Sequence, residues 1–342
     1  MKNTMKAIVQ TRYGSPDDLQ LQEVGKPRPA ENEVLIKVHA ASVHPDVWHV
    51  VTGFPIALRF MGSGFPRPKK VIPGIDMAGR VEAVGENVMR FQPGDAVFGE
   101  CHDGMQWVNG GAYAEYVCAP EDVLVHKPDC VSFEQAAAVP SSGIIALWNL
   151  DNGKRIKAGD RVLVNGAGGG VGTIAMQIAK AFGAEVTGVD CGRKLDFIRS
   201  LGADHVIDYT QENFTQGDQR YDLIFDIPGN NSFSDCKRVL TPEGKYILIA
   251  HDDYGKVGRR LFGSMPRFMG LMMRSFFQSH LYEVSTSFPS KLETMEILRG
   301  LLEDGKITPV IGKAFPLDDV GEAFRCLIEG QVLGKIVITP GE

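Results

Sequence analysis

The sequence predicts an α/β protein in which a doubly wound parallel sheet is joined to a smaller, β-rich domain. Three observations lead to this fold class. A glycine-rich loop links an apolar strand to a helix within residues 161–182, strands and helices alternate after it, and short alternating strands separated by Gly and Pro turns precede it. The length of 342 residues is consistent with about two domains.

The glycine-rich segment RVLVNGAGGGVG, residues 161–172, is the most informative part of the chain. Its apolar start predicts a buried parallel strand, and apolar residues then recur at helical spacing up to Phe182. The first turn of such a helix offers unpaired N–H groups to a phosphate, and glycines allow close approach. We therefore expect the pyrophosphate of a dinucleotide to bind at these loop residues: Ala167, Gly168, Gly169, Gly170, Val171 and Gly172.

A second apolar strand follows and ends on Asp190, about twenty residues after the glycines. Dinucleotide-binding folds place a carboxylate at this point, where it accepts hydrogen bonds from the adenosine ribose hydroxyls. Such a carboxylate also repels a 2′-phosphate. Asp190 by itself therefore favours NADH.

The rest of the pattern extends the alternation of strands and helices. Strands are predicted at 161–165, 185–189, 205–208, 221–226 and 244–249. Helices are predicted at 171–182, 193–201 and 232–240, then from 293 to about 304 and near 320–329. The last strands, including GKIVIT, are expected to rejoin the first domain. The predicted division is 1–130, completed by about 306–342, and 131–305.

Composition and charge limit the function classes. The net charge is −6, with 44% hydrophobic and 23% charged residues, which is ordinary for a globular enzyme. Because both signs are dispersed, neither nucleic acid nor stable membrane insertion is expected, and a small organic substrate fits better. No secretory signal or long apolar run is visible, and the six cysteines form no CxxC pair, so a cytoplasmic location is expected.

One segment, residues 256–282, departs from this even composition. It is rich in Met and Phe and contains several Arg residues. We interpret it as a pair of amphipathic helices that cap the substrate cleft or form a subunit contact. Docking on a membrane surface is the alternative.

Together these motifs resemble the medium-chain dehydrogenase/reductase superfamily, and within it the zinc-free quinone oxidoreductase branch. The resemblance spans nearly the whole chain and rests on MKAIVQTRYGSPDDLQL, PGIDMAGRVEAVGENVMRFQPGDAVFG, GGAYAEYV, the glycine loop, LGADHVIDYT and GQVLGKIVI. It implies a GroES-like β-barrel-type domain followed by a Rossmann-type dinucleotide-binding domain, and a homodimer. The branch also shares the Ala at position 167, where other dehydrogenases have the first Gly of the loop.

The resemblance also bears on metal binding. Zinc alcohol dehydrogenases of this superfamily use a Cys after the second strand and a His-Glu pair. The corresponding positions here hold His44, and Ile75 followed by Asp76, and the stretch where a four-cysteine zinc lobe would lie contains only Cys101. Because an Ile cannot bind a metal, we expect no zinc. A nonstandard site built from His44, Asp76 and Cys101 is the alternative.

The implied activity is direct hydride transfer from NAD(P)H to a quinone or to the β-carbon of an α,β-unsaturated carbonyl. The segment SVHPDVWHVVTG resembles the family loop that runs under the nicotinamide, with His44 at an Asn position and His49 at a Tyr position. Either His44 or His49 could donate a proton or hydrogen bond to the substrate oxygen. The alternative is that both are polar loop residues satisfied by backbone groups.

A second group of residues indicates whether NADH or NADPH is bound. Arg193 and Lys194 follow Asp190 closely, and Lys194 occupies the place of the family lysine that contacts the 2′-phosphate, supported by Tyr209. These residues favour NADPH, whereas Asp190 favours NADH. We expect a slight preference for NADPH.

Five further residues are assigned to the cofactor by their positions in the resemblance. They are Ser141 and Ser142 at a helix start, Ile249 and Ala250 after a strand, and Lys335 near the cleft. Two other functions stay open: a zinc-free alcohol dehydrogenase-like activity, and a non-enzymatic cofactor-binding or membrane-associated adaptor.

Overall fold

A computed structural model of the protein describes residues 3–104, 108–150, 156–250, 254, 261–281 and 289–341. The chain divides into two compact units. Unit 1 consists of Met1–Ile144 and Ser290–Glu342, and unit 2 is Ile145–Pro289.

The described residues form fourteen strands and nine α-helices. The strands are β1 Thr4–Val9, β2 Gln20–Gly25, β3 Glu33–Val43, β4 Asp76–Val84, β5 Ala96–Glu100, β6 Tyr116–Pro120, β7 Leu124–His126, β8 Arg161–Asn165, β9 Glu185–Asp190, β10 His205–Asp208, β11 Tyr221–Asp226, β12 Leu240–Leu248, β13 Ile311–Pro316 and β14 Lys335–Thr339. The helices are α1 Pro45–Thr52, α2 Phe133–Ala137, α3 Pro140–Leu150, α4 Gly170–Ala181, α5 Gly192–Ser200, α6 Phe233–Arg238, α7 Met265–Ser275, α8 Lys291–Glu303 and α9 Val320–Ile328.

Unit 2 contains the predicted parallel sheet. Its described strands lie in the order β10-β9-β8-β11-β12, and every neighbouring pair is parallel. Strand order reverses between β8 and β11, so the carboxyl ends of these two strands flank the crevice where open α/β sheets bind ligands. The strands read as apolar runs because helices cover both faces of such a sheet. The predicted doubly wound fold is confirmed.

Unit 1 is built mainly from antiparallel strands. A sheet in the order β13-β14-β3-β4-β5-β7 also pairs β6 with β3, and β1 pairs with β2. β14 lies antiparallel to β3, with Ile336 opposite Val43, so the carboxyl-terminal residues complete this unit. The β-rich first domain is therefore observed.

The boundaries between the units differ from those expected at 131 and 305. α2 packs on β3 and β4, and α8 packs on β7, so both helices belong to unit 1. Lys291 at the start of α8 also donates a 2.6 Å hydrogen bond to the buried Glu100 of β5. These contacts are distant in the sequence, which is why the change from strands to helices near residue 131 was a poor guide to the division.

The segment that was expected to be a loop, residues 42–53, contains the helix α1. His44 caps its start, Pro45 occupies its first turn, and Gly53 ends it with a φ of 62°. Pro at the first helical position and Gly just after the last one are the usual signals of a helix. The residues between them are rich in β-branched side chains, which are typical of strands, so the helix was not predicted.

Two further predictions are corrected. β12 begins at Leu240, not at 244, with an irregular register opposite Tyr221. In the segment 256–282, the described residues contain one helix, α7, in place of a pair; residues 256–260 and 282 lie outside the described residues. No helix in the described part of the chain is both long and apolar enough to cross a bilayer.

Candidate functional site

The glycine loop of unit 2 joins the carboxyl end of β8 to the start of α4 and is hydrogen-bonded to the end of β9. The amides of Gly166 and Ala167 both donate to the carbonyl oxygen of Val189, at 2.9 and 3.1 Å. Gly166 has a φ of 85°, a conformation that favours glycine. This residue therefore supplies the tight turn that the Ala at position 167 could not supply.

The loop forms a bare backbone cradle. A Cβ atom at Gly172 would lie 2.1 Å from the carbonyl oxygen of Gly166, and one at Gly168 would lie 2.8 Å from Lys194 Cδ. Helix α4 begins after Gly169, which provides no side-chain cap, and its first backbone bond runs from the Thr173 amide to the Gly169 carbonyl. The amides of Gly170, Val171 and Gly172 precede this first bond and are available to an anion, whereas those of Gly168 and Gly169 are used within the loop. The cradle fits the pyrophosphate of a dinucleotide.

Asp190 at the end of β9 is turned toward this loop. Its Oδ2 accepts a 2.9 Å hydrogen bond from the Gly168 amide, and its Oδ1 accepts one of 2.9 Å from the Cys191 amide. Lys194 Nζ lies 3.7 Å from Oδ1, and both side chains are buried. The carboxylate that was expected to bind ribose hydroxyls thus already has three partners within the protein.

The other residues assigned to the adenosine half lie around Asp190. Lys194 is buried beside it, whereas Arg193 is exposed and the Tyr209 side chain is 55% exposed. The Tyr209 amide donates to the Asp190 carbonyl oxygen at 3.2 Å. Partial burial raises the pKa of Tyr209, and the charges of Asp190 and Arg193 act on the same hydroxyl. The structure brings these four residues together, as the resemblance implied.

A second polar group closes the end of β11, and sequence reasoning missed it. The buried Asp226 accepts hydrogen bonds from Tyr246 Oη at 2.8 Å, Asn165 Nδ2 at 2.8 Å and the Gly229 amide at 3.1 Å. Burial raises the pKa of Asp226. The signal in the sequence was a polar residue at the end of each of two apolar strands. Asn165 ends β8 and Asp226 ends β11, and the strand order of the sheet reverses between these two strands.

Ile249 and Ala250 follow β12 next to this group. The Ile249 amide donates to the Asp226 carbonyl oxygen at 2.9 Å, and the Ala250 amide donates to that of Ile227 at 3.0 Å. Ala250 has a φ of 47°, which is uncommon for a residue with a Cβ. The backbone leaves the sheet here, at the edge where the ligand crevice of this fold opens.

Unit 1 contains a buried polar cluster centred on Asp76, the first residue of β4. Asp76 is fully buried and accepts hydrogen bonds from Ser42 Oγ at 2.8 Å, from the Ser141 amide at 3.0 Å and from Ser141 Oγ. Lys335 Nζ lies 3.5 Å from Asp76 Oδ2. Burial lowers the pKa of Lys335, and Asp76 partly offsets this effect.

The two serines at the start of α3 therefore differ. Ser141, which was assigned to the cofactor, contacts Asp76 and also Glu100 Oε1 at 2.9 Å. Burial raises the pKa of Glu100, and a protonated carboxyl group there could itself donate to Ser141. Ser142 Oγ is buried without a hydrogen-bond partner among the described residues, as is Lys335 Nζ. Ser142 and Lys335 thus have unused hydrogen-bonding capacity, whereas the single proton of the Ser141 hydroxyl is already engaged.

His44 and His49 occupy the two ends of α1. His44 Nδ1 accepts from the Asp46 amide at 3.2 Å and lies 3.1 Å from Asp46 Oδ2, while its buried Nε2 has no partner among the described residues. Burial opposes ionisation of Asp46, but the neighbouring His44 lowers the pKa of its carboxyl group. His49 Nδ1 instead lies 2.7 Å from the carbonyl oxygen of Phe54. His44 therefore has an unused ring nitrogen, and His49 is tied to the backbone through one of its own.

The resemblance aligns His44, Ile75 and Asp76 with the zinc ligands of related dehydrogenases. The structure, as far as it is described, contains no group of three or more His, Cys, Asp and Glu side chains that could hold a metal ion. Ile75 supplies no donor, and the Asp76 oxygens are held by hydroxyls and an ammonium group. Burial raises the pKa of Cys101 well above its usual value.

Comparisons with known proteins match both units. The family profile described as "Alcohol dehydrogenase GroES-like domain" matches residues 30–129, and the one described as "Zinc-binding dehydrogenase" matches residues 201–338. A 2-methylene-furan-3-one reductase from Solanum lycopersicum is 33% identical, covering 98% of this chain and 79% of its own. A quinone oxidoreductase from Homo sapiens is 30% identical, covering 98% and 97%. The structure of a quinone oxidoreductase from Coxiella burnetii superposes with a TM-score of 0.80 at 28% identity, covering 99% and 100%.

The cradle predicts the effect of adding one methyl group. In Gly168→Ala the new Cβ would lie 3.0 Å from Asp190 Oδ2 and 2.8 Å from Lys194 Cδ, so the loop or the buried Lys194 side chain beside it must shift. We expect NADPH binding, measured by nucleotide fluorescence, to weaken by at least about tenfold, or about 1.4 kcal/mol. Gly217→Ala is the matched control, since its Cβ would come no closer than 3.7 Å to a neighbouring atom. Equal affinities for the two variants would contradict the assignment of the loop.

Proposed function

This chain belongs to the medium-chain dehydrogenase/reductase superfamily, in the branch of the quinone oxidoreductases, and from that premise we propose how its residues support NAD(P)H-dependent reduction of a quinone or an α,β-unsaturated carbonyl. The observation that carries the proposal is the cradle formed by Gly166–Gly172, in which a Cβ atom added at Gly168 or Gly172 would come within 2.8 or 2.1 Å of a neighbouring atom. When bound, the reduced nicotinamide supplies a hydride to the substrate. The protein binds and orients both molecules and stabilises the oxygen that gains charge.

We propose that the enzyme prefers NADPH. Asp190 carries two amide hydrogen bonds and lies beside the Lys194 ammonium, so its negative charge is largely compensated. Repulsion of a 2′-phosphate is correspondingly reduced. The exposed Arg193 and the Tyr209 hydroxyl are the groups left to contact such a phosphate.

We propose His44, and not His49, as the donor to the substrate oxygen. When His44 Nδ1 accepts from the Asp46 amide, a neutral ring carries its proton on Nε2, and a protonated ring paired with Asp46 carries one there too. When His49 Nδ1 donates to Phe54, its neutral ring has no second proton to give. Buried Lys335 adds positive charge to the same polar cluster.

The reaction is proposed to need no metal. Polarisation of the oxygen would come from hydrogen bonds and from buried positive charge, since the donor set around Asp76 is already occupied by Ser42, Ser141 and Lys335. A cytoplasmic location fits the six cysteines, all of which are free. The homodimer implied by the resemblance stays a prediction.

The function is tested by following NADPH absorbance with a panel of quinones and enones. We expect turnover that is unchanged after exhaustive chelation and dialysis, with elemental analysis finding no stoichiometric zinc. Loss of activity on chelation that zinc restores would overturn the metal-free proposal, and no turnover with any compound of either class would overturn the activity itself.

The cofactor preference is tested with Arg193→Gln and Asp190→Asn. Removing the exposed cation is expected to raise the KM for NADPH by about fivefold, or about 1 kcal/mol, while leaving the KM for NADH nearly unchanged. Asp190→Asn should weaken both cofactors, because the substituted carboxylate anchors the loop. A wild-type preference for NADH that Asp190→Asn abolishes would show that the carboxylate reads the ribose instead.

The donor role is tested by replacing His44. His44→Leu should lower kcat by about 100-fold or more, because the substrate oxygen loses its hydrogen-bond donor, whereas His44→Gln should retain more activity through its amide. His49→Gln, which keeps a donor for Phe54, is the matched control and should leave kcat nearly unchanged. If His49→Gln and His44→Leu impaired kcat equally, the assignment of His44 would be wrong.

A further inference from the structure

Helix α7 presents apolar side chains on two sides. Toward the interior of unit 2, Leu271 packs against the core cluster and Ser275 is buried. On the outer side, Met269 and Met273 are 53% and 57% exposed, and they lie one helical turn apart. A helix on the surface of a globular protein normally has polar residues on that side.

The apolar face continues past the end of the helix. Phe276 and Phe277 are 71% and 83% exposed, among the most exposed large apolar side chains in the described part of the chain. Leu261 and Phe262, before the helix, are each about half exposed. Contiguous exposed apolar side chains of this kind mark an interaction surface.

The described part of this segment carries positive charges and no negative ones. The described residues 261–281 contain Arg267 and Arg274 and no Asp or Glu, in a chain whose net charge is −6. Arg274 lies on the surface of α7, and no described acidic side chain pairs with it. The positive charge of this surface favours a partner that is anionic as well as apolar.

A groove beside α7 is also lined by both apolar and cationic side chains. It has a volume of about 870 Å³ and is lined by Phe233, Met273 and Phe277 together with Lys237, Arg238 and Arg274. Lys237 donates to Gln278 at 2.8 Å, and Arg238 lies 3.4 Å from Asp235, the one carboxylate paired within this described group. An apolar floor with a cationic rim is the arrangement that takes an acyl chain below an anionic headgroup.

We propose that α7 and Phe276–Phe277 dock this enzyme reversibly on the surface of a bilayer containing anionic phospholipids. The Met and Phe side chains would enter the headgroup and upper acyl region, and Arg274 with the groove cations would contact the headgroup phosphates and carboxylates. The proposal does not depend on the reductase activity.

Two other occupants of this face fit less well. A twofold contact with a second copy would bring two cationic surfaces together, and α7 has no acidic residue to compensate them. A protein partner would need pockets for two adjacent phenyl rings that project from a turn, whereas a lipid interface accepts such rings without a matching shape.

The experiment is flotation of the full-length enzyme with vesicles of phosphatidylcholine and phosphatidylserine, and with vesicles of phosphatidylcholine alone. We expect binding to the mixed vesicles, weakened by added salt, and little binding to the neutral ones. Arg274→Gln should reduce partitioning about fivefold. The double variant Phe276→Ser, Phe277→Ser should reduce it by at least about tenfold.

Matched controls remove the same groups elsewhere. Arg199→Gln deletes an exposed cation and Met89→Ser deletes an exposed apolar side chain, and neither should change vesicle binding. Absence of binding to mixed vesicles, or binding unaffected by the α7 variants, would overturn the proposal. So would a change of sedimentation coefficient in the double variant without lipid, which would identify a subunit contact, or a raised KM for soluble quinones, which would identify a substrate cover.

Discussion

The hydrogen bonds between the Asp190 carboxylate and the amides of Gly168 and Cys191 hold together the part of the structure on which the function depends. They join the end of β9 to the loop that follows β8, so the first amides of α4 are fixed in place before any ligand arrives. A preorganised anion site loses less conformational freedom on binding than a mobile loop would. The same bonds occupy the carboxylate, which changes what this residue can contribute to cofactor selection.

Unit 1 also contains a buried carboxylate whose charge is compensated by neighbouring side chains. Asp76 is surrounded by two serine hydroxyls and the Lys335 ammonium, so a carboxylate with no exposure to water is compensated locally. The atoms left over are His44 Nε2, Ser142 Oγ and Lys335 Nζ, which have no hydrogen-bond partner in the described residues. Buried polar groups without partners are uncommon in folded proteins, and such groups are found where water or a ligand supplies the missing bond. This cluster is therefore where unit 1 can interact with a polar reactant.

The sequence predicted a structural feature correctly where the contacts that determine it are local. The strands 161–165 and 221–226 were placed correctly because buried parallel strands are short apolar runs with clear ends, and the half-buried strand 205–208 was also placed correctly. Helix α1 was missed although Pro45 and Gly53 marked its limits, since Val-rich segments resemble strands. The Asp76 cluster joins residues 42, 76, 141 and 335, and no pattern in one sequence reports a hydrogen bond between positions so far apart. The inward orientation of Asp190 was hidden for the same reason, whereas its position after β9 could be read from spacing alone.

The central claim is that the bare amides at the start of α4, positioned by Asp190, receive the pyrophosphate of the cofactor. Hydrogen–deuterium exchange of peptides covering residues 165–173 tests it most directly, measured with and without saturating NADPH. The account predicts that NADPH slows exchange in this loop and in the first turn of α4 more than in the strands of unit 1. Tight NADPH binding with unchanged exchange across 165–173 would contradict it.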